Sequence, residues 1–385
     1  MKKVLFVFHD SNPLSGATAS MLEVVIALKR MGKYEIIAFI PNTKRGLDKV
    51  LDSHGIKFIE ALIYGVRHKA TGKNILVEKL KSIAGVVLNL TQAIKLVLKG
   101  YKFDLIYTNT SDVYIGAFLS KLMVAKHVWH IREFGVEDQN MSHLFGEANF
   151  YKFVSSSTNK VVVISNALKD KLINFNVPQN KIDMIYNDVA NKDSTNEKFF
   201  NTEKILSLLM VGTISNEKGH EFIVDCIAYM KSINLNVKLS IVGDEKTNYV
   251  TYLKEYIKRI NCEDRIEFLG YSSDVLSIRK KHDIAVVASK SEAFGRVTIE
   301  AMHSKMTVVA SDSGANPELI VDGKSGFLFD VGNVKEFSKI ISVIEGNRIL
   351  LKSIGMSAYI SAEKFSNGQA ANKINKVICC TLGES

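Results

Sequence analysis

Short apolar runs alternate with amphipathic helical patterns along most of the chain, and this alternation restricts the possible folds more than any other feature. The first apolar run, Lys3–Phe8, is followed by a helical pattern over Ala19–Gly32 and then by a second run, Tyr34–Pro41. The remaining runs of the first half are Asp104–Thr110, Lys126–Ile131 and Lys160–Ser165. Strands that alternate with helices in this way are typical of a mostly parallel, doubly wound α/β sheet.

The second half repeats the pattern, so we predict two such domains. Its apolar runs are Ile205–Gly212, Val237–Gly243, Arg265–Gly270, Asp283–Ser289 and Thr307–Ser311. The 385 residues are too many for one ordinary core and enough for two. A polar, aperiodic stretch over 187–204 separates the halves, and we place the interdomain linker there. The predicted domains are therefore 1–186 and 205–365.

The cysteines and the N-terminus indicate where such a chain works. The four cysteines, at 226, 262, 379 and 380, do not have the paired spacing of a metal site and suggest reduced thiols in a cytosolic protein. The N-terminal apolar run Val4–Phe8 is only five residues long, which favours a buried strand over a signal peptide. No stretch of about 18 uninterrupted apolar residues occurs in the sequence. We therefore expect a cytoplasmic protein.

The net charge of +10 is concentrated in the first half. Residues 61–130 contain ten Lys and Arg residues and three Asp and Glu residues. Such a patch suits an anionic lipid surface, a nucleic acid or an acidic glycan, and it also fits an ordinary solvated basic face. No nucleic-acid recognition motif accompanies the charge, so we expect no nucleic-acid partner.

The segment Glu78–Gly100 has two open interpretations. Lysines flank its strongly apolar middle at positions 79, 81, 95 and 99. An interfacial helix that lies on an anionic membrane has this composition, and it would make the protein peripheral on the inner face of the membrane. A core helix of the first domain with solvated ends has the same composition.

Three loops are the best candidates for ligand binding, because ligands of an open α/β sheet bind beyond the carboxyl ends of its strands. The first loop contains Ser15 and Gly16 and leads into a helix, but it does not match the G-x-G-x-x-G pattern of dinucleotide-binding enzymes. The second follows the strand that ends at Gly212 and contains Lys218 and Gly219. A lysine there can contact phosphate oxygens, and it can equally be a surface lysine near a helix start.

The third loop is the most informative. It contains Glu292, Phe294 and Gly295, and a helix begins at about Arg296 and includes Glu300. Helix N-terminal amides and the helix dipole suit a diphosphate, and carboxylates accept hydrogen bonds from sugar hydroxyls. A glutamate in the first turn of a helix is also common for dipole reasons alone, so the spacing by itself decides little.

These segments, taken in order, resemble one known family. The stretch DIAVVASKSEAFGRVTIEAMHSKMTVVAS resembles the signature of the family 4 glycosyltransferases, which are retaining enzymes with the GT-B fold. SGATASMLEVVIAL, VVVISNALKDKLINFNVPQNKIDMIYNDV, VGTISNEKG and SDSGANPELIVDGKSGFLF resemble further segments of that family. The resemblance covers about residues 1–20 and 100–367. It implies two Rossmann-like domains that face a cleft, and a last helix at about 366–385 that packs back on the first domain.

The resemblance also implies roles for the residues of the third loop. Glu300 would hold the nucleotide ribose. Glu292, with the backbone at Phe294 and Gly295, would hold the transferred sugar. Arg296 and Val297 would hold the diphosphate through the amides at the helix start.

The second loop would complete the diphosphate site. Lys218 would stabilise charge on the leaving group, and Gly212 and Thr213 would line the donor. Family members often have an arginine at the position of Thr213, and we expect Arg296 to supply the missing charge.

The remaining implied residues lie outside these two loops. Gly270 and Tyr271 would be next to the base. Gly16 would approach the diphosphate or the acceptor from the first domain. His130 would hydrogen-bond to a sugar hydroxyl or orient the acceptor.

The implied function is transfer of a hexose-type sugar from a UDP- or GDP-sugar to a glycan or lipid-linked acceptor, in assembly of a cell-surface polysaccharide. The sequence contains no D-x-D motif, and GT-B enzymes use protein cations at the diphosphate, so we expect neither a metal nor a cofactor. Two alternatives share the fold and the diphosphate site. They are a nucleotide-sugar epimerase of GT-B fold and a non-catalytic glycan-binding subunit.

Overall fold

The computed structural model describes residues 1–71, 74–191 and 205–384. The chain divides into two compact units, Met1–Asp188 with Gly368–Ser385, and Val189–Asn367. Most of the linker predicted at 187–204 lies outside the described residues.

The first unit is built on a parallel sheet of seven strands. Their order in the sheet is β3-β2-β1-β5-β6-β8-β9, and every neighbouring pair is parallel. A separate antiparallel pair joins β4 to β7. The strands are β1 (Lys2–Val7), β2 (Tyr34–Pro41), β3 (Lys57–Ala61), β4 (Arg67–Lys69), β5 (Leu105–Asn109), β6 (Lys126–Ile131), β7 (Met141–His143), β8 (Lys160–Val163) and β9 (Ile182–Met184).

Helices cover both faces of this sheet. They are α1 (Gly16–Met31), α2 (Leu47–Ser53), α3 (Ile75–Leu98), α4 (Ile115–Met123), α5 (Val136–Gln139), α6 (Gly146–Ser157) and α7 (Asn166–Asn174), with a 3-10 turn at Gln179–Lys181. The last helix of the chain, Gln369–Leu382, belongs to this unit as well.

Strand β1 shows why the apolar runs are continuous rather than alternating. Val4 and Phe6 pack in one apolar cluster, and Leu5 and Val7 pack in another. Successive side chains of a strand point to opposite faces, so a sheet covered by helices on both faces needs apolar residues at every position. The first cluster includes Ala370, Ile374 and Ile378, at intervals of four residues.

A buried imidazole makes the stability of this unit depend on pH. We expect the free energy of unfolding to fall as pH decreases below about 6.5. Burial lowers the pKa of His127 to about 4, although its hydrogen bond to the carbonyl of Ser157 opposes the shift. The folded residue therefore stays neutral between pH 6.5 and 4, where the unfolded residue takes up a proton. The loss should be about 2 kcal/mol between pH 7 and pH 5.

Urea denaturation at these two pH values measures the effect. His127→Gln should show a shallower pH dependence than the parent chain, whatever its absolute stability. Parallel pH dependences in the two proteins would contradict the assignment.

The second unit repeats the parallel arrangement with six strands. Their order is β12-β11-β10-β13-β14-β15. The strands are β10 (Leu206–Val211), β11 (Val237–Val242), β12 (Ile266–Gly270), β13 (Ile284–Val287), β14 (Thr307–Ser311) and β15 (Phe327–Phe329). The helices are α8 (His220–Ser232), α9 (Asn248–Arg259), α10 (Val275–Lys280), α11 (Arg296–His303), α12 (Asn316–Leu319), α13 (Val334–Gly346) and α14 (Ile349–Ala362). The last helix of the chain, α15 (Gln369–Leu382), belongs to the first unit.

The segment with two open interpretations forms one helix of 24 residues, α3. Within the described ranges it is the single helix long and apolar enough to cross a membrane by length and composition. Its buried positions are mostly small or polar, and they are Ser82, Gly85, Asn89, Ala93 and Leu96. The core-helix interpretation therefore holds for this narrow buried face of α3. It does not hold for the rest of the helix, where most of the large apolar side chains are exposed.

Candidate functional site

The strand order of the second unit creates a switch point between β10 and β13. The chain runs from β10 outward to β11 and β12, and then returns to place β13 on the other side of β10. Ligands of open α/β sheets bind beyond the carboxyl ends of the strands at such a point. The loops there are 212–219 and 288–295, which are the second and third loops singled out from the sequence.

Gly219 holds these two loops against each other. Its φ is +74°, and a Cβ added to it would lie 2.1 Å from the carbonyl oxygen of Ala288. The N–H of Lys290 donates to the carbonyl of Glu217 at 2.9 Å. Both the backbone conformation and the close approach therefore require glycine at this position.

Lys218 and Glu292 form an ion pair where the loops meet. The Lys218 Nζ lies 2.9 Å from Glu292 Oε2, and the Ser289 hydroxyl donates to the same oxygen at 2.9 Å. The two side chains are 32% and 18% exposed. The structure thus brings together two residues singled out from the sequence, and it adds a serine that sequence reasoning missed.

The turn after β14 positions the backbone of Glu292. A Cβ on Gly314, whose φ is +59°, would lie 2.3 Å from the carbonyl oxygen of Glu292. The N–H of Ala315 donates to that oxygen at 2.7 Å, and the Ser311 hydroxyl donates to the carbonyl of Ser289 at 2.7 Å. The turn SDSGANPE, residues 311–318, therefore packs against the loop that contains Glu292 and fixes the backbone of that loop.

The start of α11 is shaped for backbone recognition rather than for side-chain contacts. Gly295 precedes the helix with φ +85°, and a Cβ there would lie 2.6 Å from Leu319 Cδ1. Phe294 is buried, and its ring meets the ring of Phe365 edge-on at 6.2 Å. The first amides of a helix have no intrahelical acceptors, so those at Arg296 and Val297 are suited to an anion.

Two arginines hold Glu300. Arg279 Nη2 lies 2.6 Å from Glu300 Oε2, and Arg296 Nε lies 3.1 Å from Oε1. Burial acts to raise the pKa of this carboxyl, but the two guanidinium groups together keep the pKa below its usual value. Glu300 is therefore an ionised acceptor at neutral pH. Arg296 already pairs with Glu300, so its guanidinium would have to leave this carboxylate to contact a diphosphate. Its role at the diphosphate stays a prediction.

A cavity of about 360 Å³ lies beside Glu300. It is lined by Ala190, Asn191, Ser273, Asp274, Val275, Leu276, Arg279, Glu300, His303 and Ser304. This volume is within the range of small-molecule sites. The sequence pointed to Glu300, but neither Arg279 nor the segment 273–276 at the start of α10 carried a recognisable motif.

The other predicted donor residues of this unit lie at the same edge of the sheet. Gly270 ends β12, and Tyr271 is 72% exposed and is not part of the cavity lining, although Ser273 two residues later is. Gly212 follows β10, and its carbonyl oxygen would be 2.2 Å from a Cβ on Gly243. Thr213 is exposed.

His130 lies at the end of β6 in the first unit and is almost fully buried. Arg132 Nη2 lies 3.1 Å from its Nδ1, and Tyr107 Oη lies 2.9 Å from the same atom. Because a guanidinium can only donate, Nδ1 is the acceptor and Nε2 carries the hydrogen. Burial, followed by the charge of Arg132, lowers the pKa of His130 well below its usual value. Its buried Nε2 has no hydrogen-bond partner within the described parts of the chain.

Gly16, the first residue of α1, has open space around it. A Cβ at this position would meet nothing within 4 Å, so the packing of this unit does not demand glycine. The Asn109 side chain donates to the carbonyl of Ala17 at 3.1 Å and accepts from Arg132 Nε at 2.6 Å. The start of α1 is thereby connected to the ends of β5 and β6, where His130 lies.

Two family models match nearly the whole chain. The one described as Glycosyltransferase Family 4 matches residues 14–190, and the one described as Glycosyl transferases group 1 matches residues 191–360.

Individual proteins agree with these matches. An uncharacterised glycosyltransferase, MJ1178, from Methanocaldococcus jannaschii is 26% identical over 79% of this chain and 85% of its own length. The capsular polysaccharide biosynthesis glycosyltransferase CapM from Staphylococcus aureus is 24% identical over 54% of this chain and 58% of its own. The solved structure of HepE from Anabaena in complex with UDP and glucose superimposes with a TM-score of 0.76 at 20% identity, covering 99% of this chain and 100% of that one. This chain belongs to the family 4 glycosyltransferases and has the GT-B fold.

Proposed function

We propose that the protein is a retaining hexosyltransferase that moves a hexose-type sugar from a UDP- or GDP-sugar to a glycan or lipid-linked acceptor. One observation carries the proposal. The Lys218–Glu292 ion pair lies at the switch point of the second sheet, and the ionised Glu300 lies on the helix that follows directly. Lys218 suits the diphosphate of a nucleotide sugar, Glu292 suits the transferred sugar, and Glu300 suits the ribose.

The nucleoside occupies the cavity beside Glu300. The carboxylate accepts hydrogen bonds from the ribose hydroxyls, and Arg279 and Arg296 hold it in position. Residues 273–276, at the start of α10, line the same cavity and provide contacts for the base. Gly270 and Tyr271, which precede this segment, are then at the edge of the base site rather than at its centre.

The diphosphate binds at the start of α11, where the amides of Arg296 and Val297 and the helix dipole favour negative charge. Lys218 then exchanges its pairing with Glu292 for a phosphate oxygen. This exchange leaves the Glu292 carboxylate to accept hydrogen bonds from hydroxyls of the transferred sugar. Until the donor binds and provides new partners, the ion pair balances the charges of Lys218 and Glu292.

The chemical step follows from this arrangement. The bond between the anomeric carbon and the diphosphate breaks, and the acceptor hydroxyl attacks from the face that the diphosphate leaves. Negative charge grows on the leaving diphosphate, and Lys218 and the helix amides stabilise it. The departing phosphate oxygen takes the proton of the acceptor hydroxyl. The configuration of the anomeric carbon is retained.

The first unit contributes acceptor-side groups in this proposal. His130 is neutral, so in this proposal its Nε2–H donates to a sugar or acceptor oxygen rather than removing a proton, and the side chains that bury Nε2 must move to admit that oxygen. Gly16 leaves room for a ligand to approach the start of α1.

The relatives support the choice of substrates. The name of CapM refers to capsular polysaccharide biosynthesis, and the HepE structure contains UDP and glucose. We therefore propose a role in cell-surface polysaccharide assembly, at the cytoplasmic side of the membrane.

A panel of nucleotide sugars tests the proposal through thermal unfolding. A ligand that binds the native state raises its stability, by about 2.7 kcal/mol at a concentration of 100 Kd. We expect a UDP- or GDP-sugar to raise the Tm and to release nucleotide when an acceptor is added. Conversion of the donor with no acceptor present would instead identify an epimerase. If no nucleotide sugar in the panel raised the Tm, the proposed donor site would be wrong.

Transfer should proceed without a divalent metal, because Lys218 and the α11 amides neutralise the leaving group. We expect the initial rate to be unchanged within about twofold in excess chelator, since no charge stabilisation is lost. The control is a metal-dependent transferase assayed in the same buffer. Complete loss of activity that magnesium or manganese restores would refute this prediction.

A further inference from the structure

Helix α3 exposes a line of large apolar side chains. Seven of them are between 39% and 80% exposed, namely Leu76, Leu80, Ile83, Val87, Leu90, Ile94 and Leu98. Their spacing of three and four residues places them on one side of the helix. The line runs for most of the roughly 36 Å length of the 24-residue helix. Single exposed apolar residues are ordinary, whereas a continuous line of this length marks a binding surface.

The opposite side of the helix is fixed to the first unit by small and polar residues. The side chain of Asn89 donates to the carbonyl of Tyr64 at 3.0 Å and accepts from the N–H groups of Tyr114 and Ile115 at 3.1 and 3.0 Å. Ser82 donates to the carbonyl of Val66.

Close backbone packing reinforces these hydrogen bonds. A Cβ on Gly85 would lie 2.4 Å from the carbonyl oxygen of Gly65. The helix therefore cannot turn its apolar line inward, because leucine-sized side chains would replace glycine, serine and asparagine at a tight contact. It also cannot cross a bilayer without breaking these hydrogen bonds.

Lysines flank the apolar line on both sides. At 100° per residue, Lys79 lies on one side of the line, and Lys95 and Lys99 lie on the other. All three are exposed. Lys81 lies on the second side as well and pairs with Glu78 at 2.8 Å, and Glu78 is the one acidic residue of the helix. Long lysine side chains can keep their charge at the lipid headgroups while the apolar line enters the acyl boundary.

We propose that this apolar line and its flanking lysines dock the first unit on an anionic lipid bilayer, with α3 lying in the plane of the interface. A second copy of the chain fits this surface less well, because a twofold contact through the line would bring the same lysines together. Anionic headgroups complement that charge. The inference goes beyond the proposed sugar transfer and does not depend on it, because vesicle binding requires neither donor nor acceptor.

Co-sedimentation of the full chain with vesicles tests the proposal. We expect binding to vesicles of phosphatidylcholine with phosphatidylglycerol, little binding to phosphatidylcholine alone, and weaker binding at high salt. The triple variant Leu80→Ser/Ile83→Ser/Val87→Ser should bind roughly tenfold or more weakly.

A matched control is available on the second unit. Val343→Ser/Ile349→Ser/Ile360→Ser changes three apolar side chains of similar exposure and should bind like the parent chain. Unchanged Tm values show that both variants are folded.

A second pair of variants tests the charge. Lys79→Gln/Lys95→Gln/Lys99→Gln should also weaken binding roughly tenfold or more. Lys335→Gln/Lys339→Gln/Lys352→Gln, which removes the same net charge from exposed positions of α13 and α14, should not.

Three results would overturn the proposal. The first is equal binding to neutral and anionic vesicles, and the second is equal losses in the test and control variants. The third is a dimer in solution, measured by sedimentation without vesicles, that the α3 variants dissociate.

Discussion

Lys218→Ala should lower turnover about a hundredfold to a thousandfold while the protein stays folded. That range is the usual cost of removing one charge-stabilising donor from an active site. Lys218 is the one lysine in the described parts of the chain that pairs with Glu292, and it lies at the switch point where the diphosphate is expected. Its charge matters most when the leaving group becomes more negative, so the loss should appear in kcat more than in donor affinity.

Steady-state kinetics and calorimetric titration with the nucleotide measure these two effects separately. Lys335→Ala, at an exposed position of α13, is the matched control and should leave both unchanged. An unaltered kcat in Lys218→Ala would show that the lysine only balances the negative charge of Glu292 and does not act on the leaving group. A loss confined to nucleotide affinity would assign it to ground-state binding instead.

Glu300→Gln should weaken nucleotide-sugar binding about tenfold to a hundredfold. Hydrogen bonds to a charged group contribute about 1.5–3 kcal/mol, which corresponds to that range. The substitution keeps the shape of the side chain but removes the charge, and its amide nitrogen cannot accept a hydrogen bond. One arginine or one ribose hydroxyl then lacks an acceptor.

The same substitution should also reduce stability, because Arg279 is largely buried and loses its carboxylate partner. Glu345→Gln is the matched control, since Glu345 pairs with Arg348 at 2.8 Å on a part of the second unit outside the cavity. It should lower stability slightly and leave donor affinity unchanged. Equal donor affinity in Glu300→Gln and the parent chain would remove Glu300 from the ribose site.

The pH dependence provides an independent check on Glu300. Its lowered folded-state pKa means that its stabilising contribution is present above the unfolded value of about 4.5 and is lost as pH falls through the folded value. Donor affinity should therefore not titrate through this carboxyl between pH 6 and 8.

Sequence periodicity predicted the longer elements well and the shorter ones poorly. The helical pattern at Ala19–Gly32 corresponds to α1, and the two predicted parallel sheets are present. The strands β3, β9 and β15 and the small β4–β7 pair were not predicted. Apart from β3, all four of these strands have only three residues, and strands of that length carry too few positions to show a period.

Within the site, local motifs located the loops but not every partner. Lys218, Glu292 and Glu300 were singled out from the sequence, and the first two lie together at the switch point. Arg279 was missed because it is 21 residues before Glu300 and belongs to a different helix. Only the tertiary structure brings its guanidinium to that carboxylate. The cavity-lining segment 273–276, at the start of α10, was missed for the same reason.

The sequence by itself determined that the chain forms two doubly wound α/β domains and which loops lie at the edge of the sheet where a ligand is expected. It could do so because strand and helix periods are local, and because parallel strands always present their carboxyl ends at one edge. Only the tertiary structure decided which way α3 faces. The sequence showed that this helix has an apolar side, but periodicity does not say whether that side meets the core or the solvent. The close approach of Gly85 to Gly65 and the hydrogen bonds of Asn89 turn the small-residue side inward, so the apolar side faces outward.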